Sequence, residues 1–118
     1  MPTAIEVERA DHGIEVLVLR GEHDLSTAPD VARRVDAALE RANGLAIDLS
    51  ETTFIDSALL RVLITAQEQA AERGVGFAIA VAESSGYGVH RLLSLTGLHD
   101  KLATAGSREE AVAAAGKR

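Results

Sequence analysis

The chain holds no cysteine and no tryptophan among its 118 residues. Without cysteine there is no disulfide framework, no thiolate nucleophile and no sulfur-ligated metal. Aromatic residues are only 3% (Phe54, Phe77 and Tyr87), so a core must be built from alanine, valine, isoleucine and leucine. Positive charge is scarce as well: 12 Lys and Arg stand against 18 Asp and Glu, a net charge of −6. A duplex-binding surface needs clustered Lys and Arg to neutralise phosphates, and adsorption to anionic lipid needs the same. Direct nucleic-acid contact and membrane adsorption are therefore both disfavoured. No apolar run approaches the roughly 18–20 residues that cross a bilayer. The start, Met1-Pro2-Thr3-Ala4-Ile5-Glu6, lacks the basic opening and apolar stretch of a signal peptide. A cytoplasmic protein without membrane insertion is the expectation.

What is present suits one globular domain over residues 1–118, with 47% apolar and 25% charged residues. The acidity is uneven. Residues 1–60 carry twelve acids and five bases, whereas residues 61–118 carry six acids and seven bases. Such asymmetry bears on association rather than on fold.

Residues 4–8 alternate as a half-buried strand does, with Ile5 and Val7 between acids. Asp11-His12-Gly13 predicts a tight turn, and Ile14 to Leu19 reads as an interior strand, completing a hairpin. Ser26-Thr27-Ala28-Pro29 predicts a helix start with a hydroxyl cap, and Asn43-Gly44 its end. Leu45 to Leu49 predicts a strand, and a second helix follows Asp56-Ser57, with Leu60, Leu63, Ile64, Gln67, Ala70 and Ala71 as its buried stripe. Phe77 to Ala82 is an interior strand, and Ser84-Ser85-Gly86 leads into a third helix. Leu102-Ala103-Thr104 is a short strand, and Ser107 caps a terminal helix with Glu109 and Glu110 in its first turn. The alternation specifies an α/β protein with a mixed four- to five-stranded sheet and about four helices.

Signatures of catalysis are missing. His12, His23, His90 and His99 have no metal-ligand spacing, and neither a GxSxG elbow nor a Walker-type GxxxxGK occurs. Gly86-Tyr87-Gly88 sits where a dinucleotide fingerprint would, but Arg91 occupies the place of the third glycine. No enzyme, metal or cofactor is expected. The remaining feature is the stretch from Ile47 to Leu63: a strand, a loop, then Ser57 at the N-cap of an amphipathic helix. On local grounds capping accounts for Ser57, since a serine there stabilises a helix by about 1 kcal/mol.

Three blocks in this order resemble the STAS domain of bacterial anti-sigma factor antagonists and of the ends of sulfate transporters. They are Leu19-Arg20-Gly21-Glu22-His23-Asp24-Leu25 with Thr27-Ala28, Asp48-Leu49-Ser50 through Asp56-Ser57, and Arg91 to Leu98. The resemblance implies a STAS-like fold. It implies that Ser57 corresponds to the serine phosphorylated by a partner anti-sigma factor, itself an ATP-dependent serine kinase. Asp24 and Asp56 correspond to acids flanking that serine, and Ala58, Leu59 and Arg61 would join them at the partner contact. In the family's partner switching, the unphosphorylated antagonist binds the anti-sigma factor and frees the sigma factor; a serine phosphatase restores binding after phosphorylation. The sequence departs from the family at Leu59, where glycine is usual. That residue is expected either to be an exposed anchor for the partner or to narrow kinase access to Ser57. Glu22, Asp24, Glu51 and Asp56 would form one acidic surface around Ser57. Two other readings stay open: a STAS subunit of a transporter or stress-signalling assembly, and a small-ligand or nucleotide-binding domain using Gly86-Tyr87-Gly88.

Overall fold

In the computed structural model, which describes residues 2–117, strands and helices alternate along the chain. The strands are β1 (Ala4–Arg9), β2 (Ile14–His23), β3 (Gly44–Asp48), β4 (Thr52–Ile55), β5 (Gly76–Ala80) and β6 (Thr104–Ala105). The helices are α1 (Ala28–Arg41), α2 (Ser57–Arg73), α3 (Tyr87–Thr96) and α4 (Arg108–Ala115). The sheet order is β1-β2-β3-β5-β6, with β4 also paired to β2. Only β1 runs antiparallel to its neighbour; the other pairings are parallel, as helical crossovers require.

The β1–β2 hairpin turns through a short 3-10 segment, Asp11–Gly13, where His12 takes φ 64. The amide of Ala10 closes the turn by donating to the Ile14 carbonyl at 2.8 Å.

Six strands rather than four or five form the sheet, because the expected loop before α2 contains β4. Strand β2 is also longer than its apolar run. Its first half pairs with β3 and its second half with β4. The change of partner falls at a register shift between Gly21 and Glu22, where Gly21 has φ 81, a conformation that costs glycine little. The last strand begins two residues later than expected, at Thr104.

Side chains alternate across the sheet and divide the interior in two. On one face Leu17, Leu19, Leu45, Ile47, Leu49 and Ile79 pack with apolar residues of α1, α2 and α3. On the other, Val16, Val18, Ala46, Ala78 and Ala80 meet Ala111 of α4. The small residues let α4 lie close, and this is how a chain nearly without aromatics fills its core. The last turn of α4 reaches the amino ends of β3 and β5, where a Cβ on Gly44 or Gly76 would overlap the Ala115 carbonyl.

Buried charges are paired. The Glu15 carboxylate takes two hydrogen bonds from Arg41, at 2.6 and 2.8 Å. Asp48 accepts from Arg108 at 2.8 Å, and the same guanidinium donates to Glu8 at 2.6 Å, tying α4 to β1 and β3. Burial alone would raise the Asp48 carboxyl, but the hydroxyl and N–H of Ser50, together with Arg108, outweigh it and hold the group below the usual carboxylate range.

Candidate functional site

The carboxyl ends of β2 and β4 and the amino ends of the helices that follow them meet at one end of the sheet. Here the chain turns from β2 into α1 through Asp24-Leu25-Ser26-Thr27. The expected hydroxyl cap of α1 is absent: neither hydroxyl caps the helix, and Thr27 Oγ1 instead accepts from the Asp24 amide at 3.2 Å and pairs with His23 Nδ1 at 3.1 Å. His23 is fully buried, and its Nε2 reaches the Arg20 carbonyl at 3.0 Å. Its ring thus spends both nitrogens on holding this turn. The Asp24 carboxylate folds onto Ser26, accepting from its hydroxyl at 2.6 Å and its amide at 2.9 Å. Those two bonds, the hydroxyl first, hold Asp24 below the ordinary carboxylate range.

Helix α2 starts differently from the expectation. Asp56, in extended backbone conformation at φ −106 and ψ −177, is the N-cap, and its Oδ1 accepts from the Leu59 amide at 2.9 Å. Its second oxygen accepts from the Leu25 amide at 3.0 Å, so one carboxylate joins the two turns. Ser57 is therefore the first helical residue and not the cap. It is exposed, and its hydroxyl has no hydrogen-bond partner among the described residues. Capping leaves the serine unexplained.

The other expected contact residues divide. Asp24 and Asp56 are half-buried and lie on turns joined by the Asp56–Leu25 bond; Ala58 is half-buried and packed against the core; Arg61 is exposed one turn beyond Ser57. Leu59 is not an exposed anchor: it is wholly buried among the core residues beneath α2. A residue two positions past Ser57 points inward on the helix, and Leu59 fills that space with an isobutyl group. Glu51 does not contribute a free acid either, because Arg20 pairs with both Glu51, at 3.1 Å, and Glu6.

Three exposed apolar side chains at this end escaped the sequence reading: Leu25 (72%), Phe54 (43%) and Tyr87 (74%). In a chain with three aromatic residues, Phe54 three places before Ser57 was the available signal. Gly86 and Gly88 have a packing role: a Cβ on Gly86 would overlap the Thr53 carbonyl, and one on Gly88 would lie 2.9 Å from the Phe54 ring. The Gly86 amide donates to the Thr52 carbonyl at 2.8 Å. Close approach of α3 to β4 therefore accounts for the glycine pair.

Among the described residues no three His, Asp or Glu side chains come together as a metal site. No helix among them is long and apolar enough to cross a membrane.

An anti-sigma factor antagonist from Mycobacterium paratuberculosis superposes with a TM-score of 0.82 at 28% identity, covering 97% of this chain and 94% of that one. The Bacillus cell fate determinant SpoIIAA, in its phosphorylated form, shares the fold at TM-score 0.68 and 15% identity over 91% of this chain and 94% of its own. A sulfate transporter family protein from Wolinella succinogenes does so at TM-score 0.70 and 18% identity, over 92% and 88%. No curated protein matches the chain in sequence. Residues 6–104 match the family described as "Mlab, STAS domain". Since that match runs from β1 to the first residue of β6, the chain belongs to the STAS domain family.

Proposed function

We propose that this protein is an anti-sigma factor antagonist, a non-enzymatic switch that acts in the bacterial cytoplasm. Unphosphorylated, it binds an anti-sigma factor serine kinase and so frees a sigma factor. Phosphorylation at Ser57 ends that binding, and a serine phosphatase restores it. The observation that carries the reading is the exposed Ser57 hydroxyl, left without a partner because Asp56 caps the helix. The likeness to the mycobacterial antagonist supports the same role.

In the proposed step the Ser57 Oγ–phosphorus bond forms as the γ-phosphoryl group leaves ADP, and the hydroxyl proton passes to the kinase. The product carries about −1.5 to −2 charge. It stands next to Asp56, at the end of the fold where Leu25, Phe54 and Tyr87 expose apolar side chains suited to burial against a partner. Charge placed in such a contact opposes docking without any change of fold. The contact surface comprises Asp24, Asp56, Ala58 and Arg61 with that patch; Leu59 supports it from within.

Incubation with the cognate kinase and ATP, followed by mass spectrometry, is expected to place one phosphate on Ser57. Ser57→Glu is expected to abolish kinase binding; a complex indifferent to that change sinks the switching mechanism. The Wolinella neighbour, a sulfate transporter family protein, supports a second reading, a STAS subunit of a transporter assembly. Co-purification with a membrane ATPase in place of a kinase would favour it.

A further inference from the structure

Most arginines among the described residues have a partner within the chain. Arg20, Arg33, Arg41 and Arg108 pair with carboxylates, Arg34 donates to the Ile5 carbonyl, and Arg91 donates to the Tyr87 hydroxyl. Arg61 does not. It is exposed and has neither an ion pair nor a hydrogen bond among the described residues. Its place is specific: it lies four residues after Ser57 within α2. Side chains at that spacing share a helix face, with Cβ atoms about 5–6 Å apart. The Cα–Cβ bonds of a helix also tilt toward its amino end, so the Arg61 stem leans toward Ser57.

The titratable groups around them include three acids and His23, which is buried in the turn that carries Asp24. Asp56 spends both oxygens on the Leu59 and Leu25 amides, and Asp24 is folded onto Ser26. Asp36 of α1 borders the same groove between α1 and α2 that Arg61 edges. A phosphate on Ser57 would meet like charge from the adjacent Asp56 and opposite charge from Arg61.

Resting on the reading of Ser57 as a phosphorylation site, we infer that Arg61 is the counter-ion of the Ser57 phosphate within the same helix. The guanidinium pairs with phosphate oxygens, a charge-assisted and geometrically matched contact. Phosphorylation then alters two features of the surface together. It adds a dianion, and it withdraws a cation that the unphosphorylated protein presents to its partner.

The test uses the full chain with phosphoserine incorporated at position 57 during translation, so that no kinase is needed. The phosphorus-31 resonance is titrated from about pH 4.5 to 8 at low ionic strength, where surface pairs are least screened. An adjacent cation favours the dianion, so removing it raises the second phosphate pKa, ordinarily about 6. Arg61→Gln is expected to raise it by about 0.2–0.4 pH unit relative to the wild type. Arg61→Lys should restore most of the difference, and Arg73→Gln, at the far end of α2, should leave the wild-type value unchanged. The same pKa in wild type and Arg61→Gln overturns the inference. Failure of a kinase to modify Ser57 would instead count against the phosphorylation reading and would leave this titration readable.

Discussion

Replacing Asp56 and Ser57 separately by alanine distinguishes the cap of α2 from its exposed neighbour. Asp56→Ala removes the acceptor for the Leu59 amide and, in the same stroke, the acceptor for the Leu25 amide. Loss of an aspartate cap costs typically about 1 kcal/mol and up to about 2. The Leu25 amide is in an exposed turn and can turn to water, so its loss adds a few tenths rather than a full desolvation penalty. The expected total is about 1–2 kcal/mol. With an unfolding entropy of about 2.1 cal/mol/K per residue, each kcal/mol shifts the Tm of a domain this size by about 4 °C. Asp56→Ala should therefore melt about 4–8 °C lower. Ser57→Ala removes a hydroxyl with no partner and substitutes a better helix former, so its stability should stay within about 0.5 kcal/mol of wild type. Thermal melts followed by far-ultraviolet circular dichroism, with urea titrations to check the order, measure both. If Ser57→Ala loses as much as Asp56→Ala, the serine is structural and the argument from its free hydroxyl fails.

Two further outcomes follow from the core and its buried acid. Leu59→Ala is expected to lose about 2–5 kcal/mol in urea unfolding, the range for truncating a buried leucine; a loss below about 1 kcal/mol would return Leu59 to the surface. Asp48 has a folded pKa below its unfolded one, so its contribution to stability is complete above the ordinary carboxylate pKa of about 4 and is lost as pH falls through the lower folded value. Urea midpoints should accordingly fall less steeply on acidification from pH 5 to 2 in Asp48→Asn than in wild type, and parallel curves would show that the Arg108 and Ser50 contacts do not hold that carboxylate.

Helices were legible in the sequence because their apolar spacing, the Pro29 entry, the Gly74 stop and the Ser107 cap act locally. Strand β4 was not, because four residues with an exposed middle carry little periodicity, and their pairing depends on the far half of β2 beyond the Gly21 shift. Asp56-Ser57 offered two good caps in succession, and only the extended backbone of Asp56 decides between them. Leu59 misled for a similar reason: a departure from a family pattern marks a change in packing as readily as a change of surface. The partner change along β2 and the Asp56–Leu25 bond join the turn carrying Asp24 to the turn before α2, and neither is visible without long-range contacts.

The contact between Ala115 and the glycines that open β3 and β5 bears on how the protein can be handled and joined to others. Those strands run parallel to β2, so their opening residues lie at the pole opposite Ser57, with the length of β3, about 13 Å, between the two ends. A dye, an affinity handle or a fused domain attached beyond α4 departs from that remote pole. The serine-bearing end stays open to a partner while the other end is tethered, so attachment at the α4 end suits binding measurements on this chain.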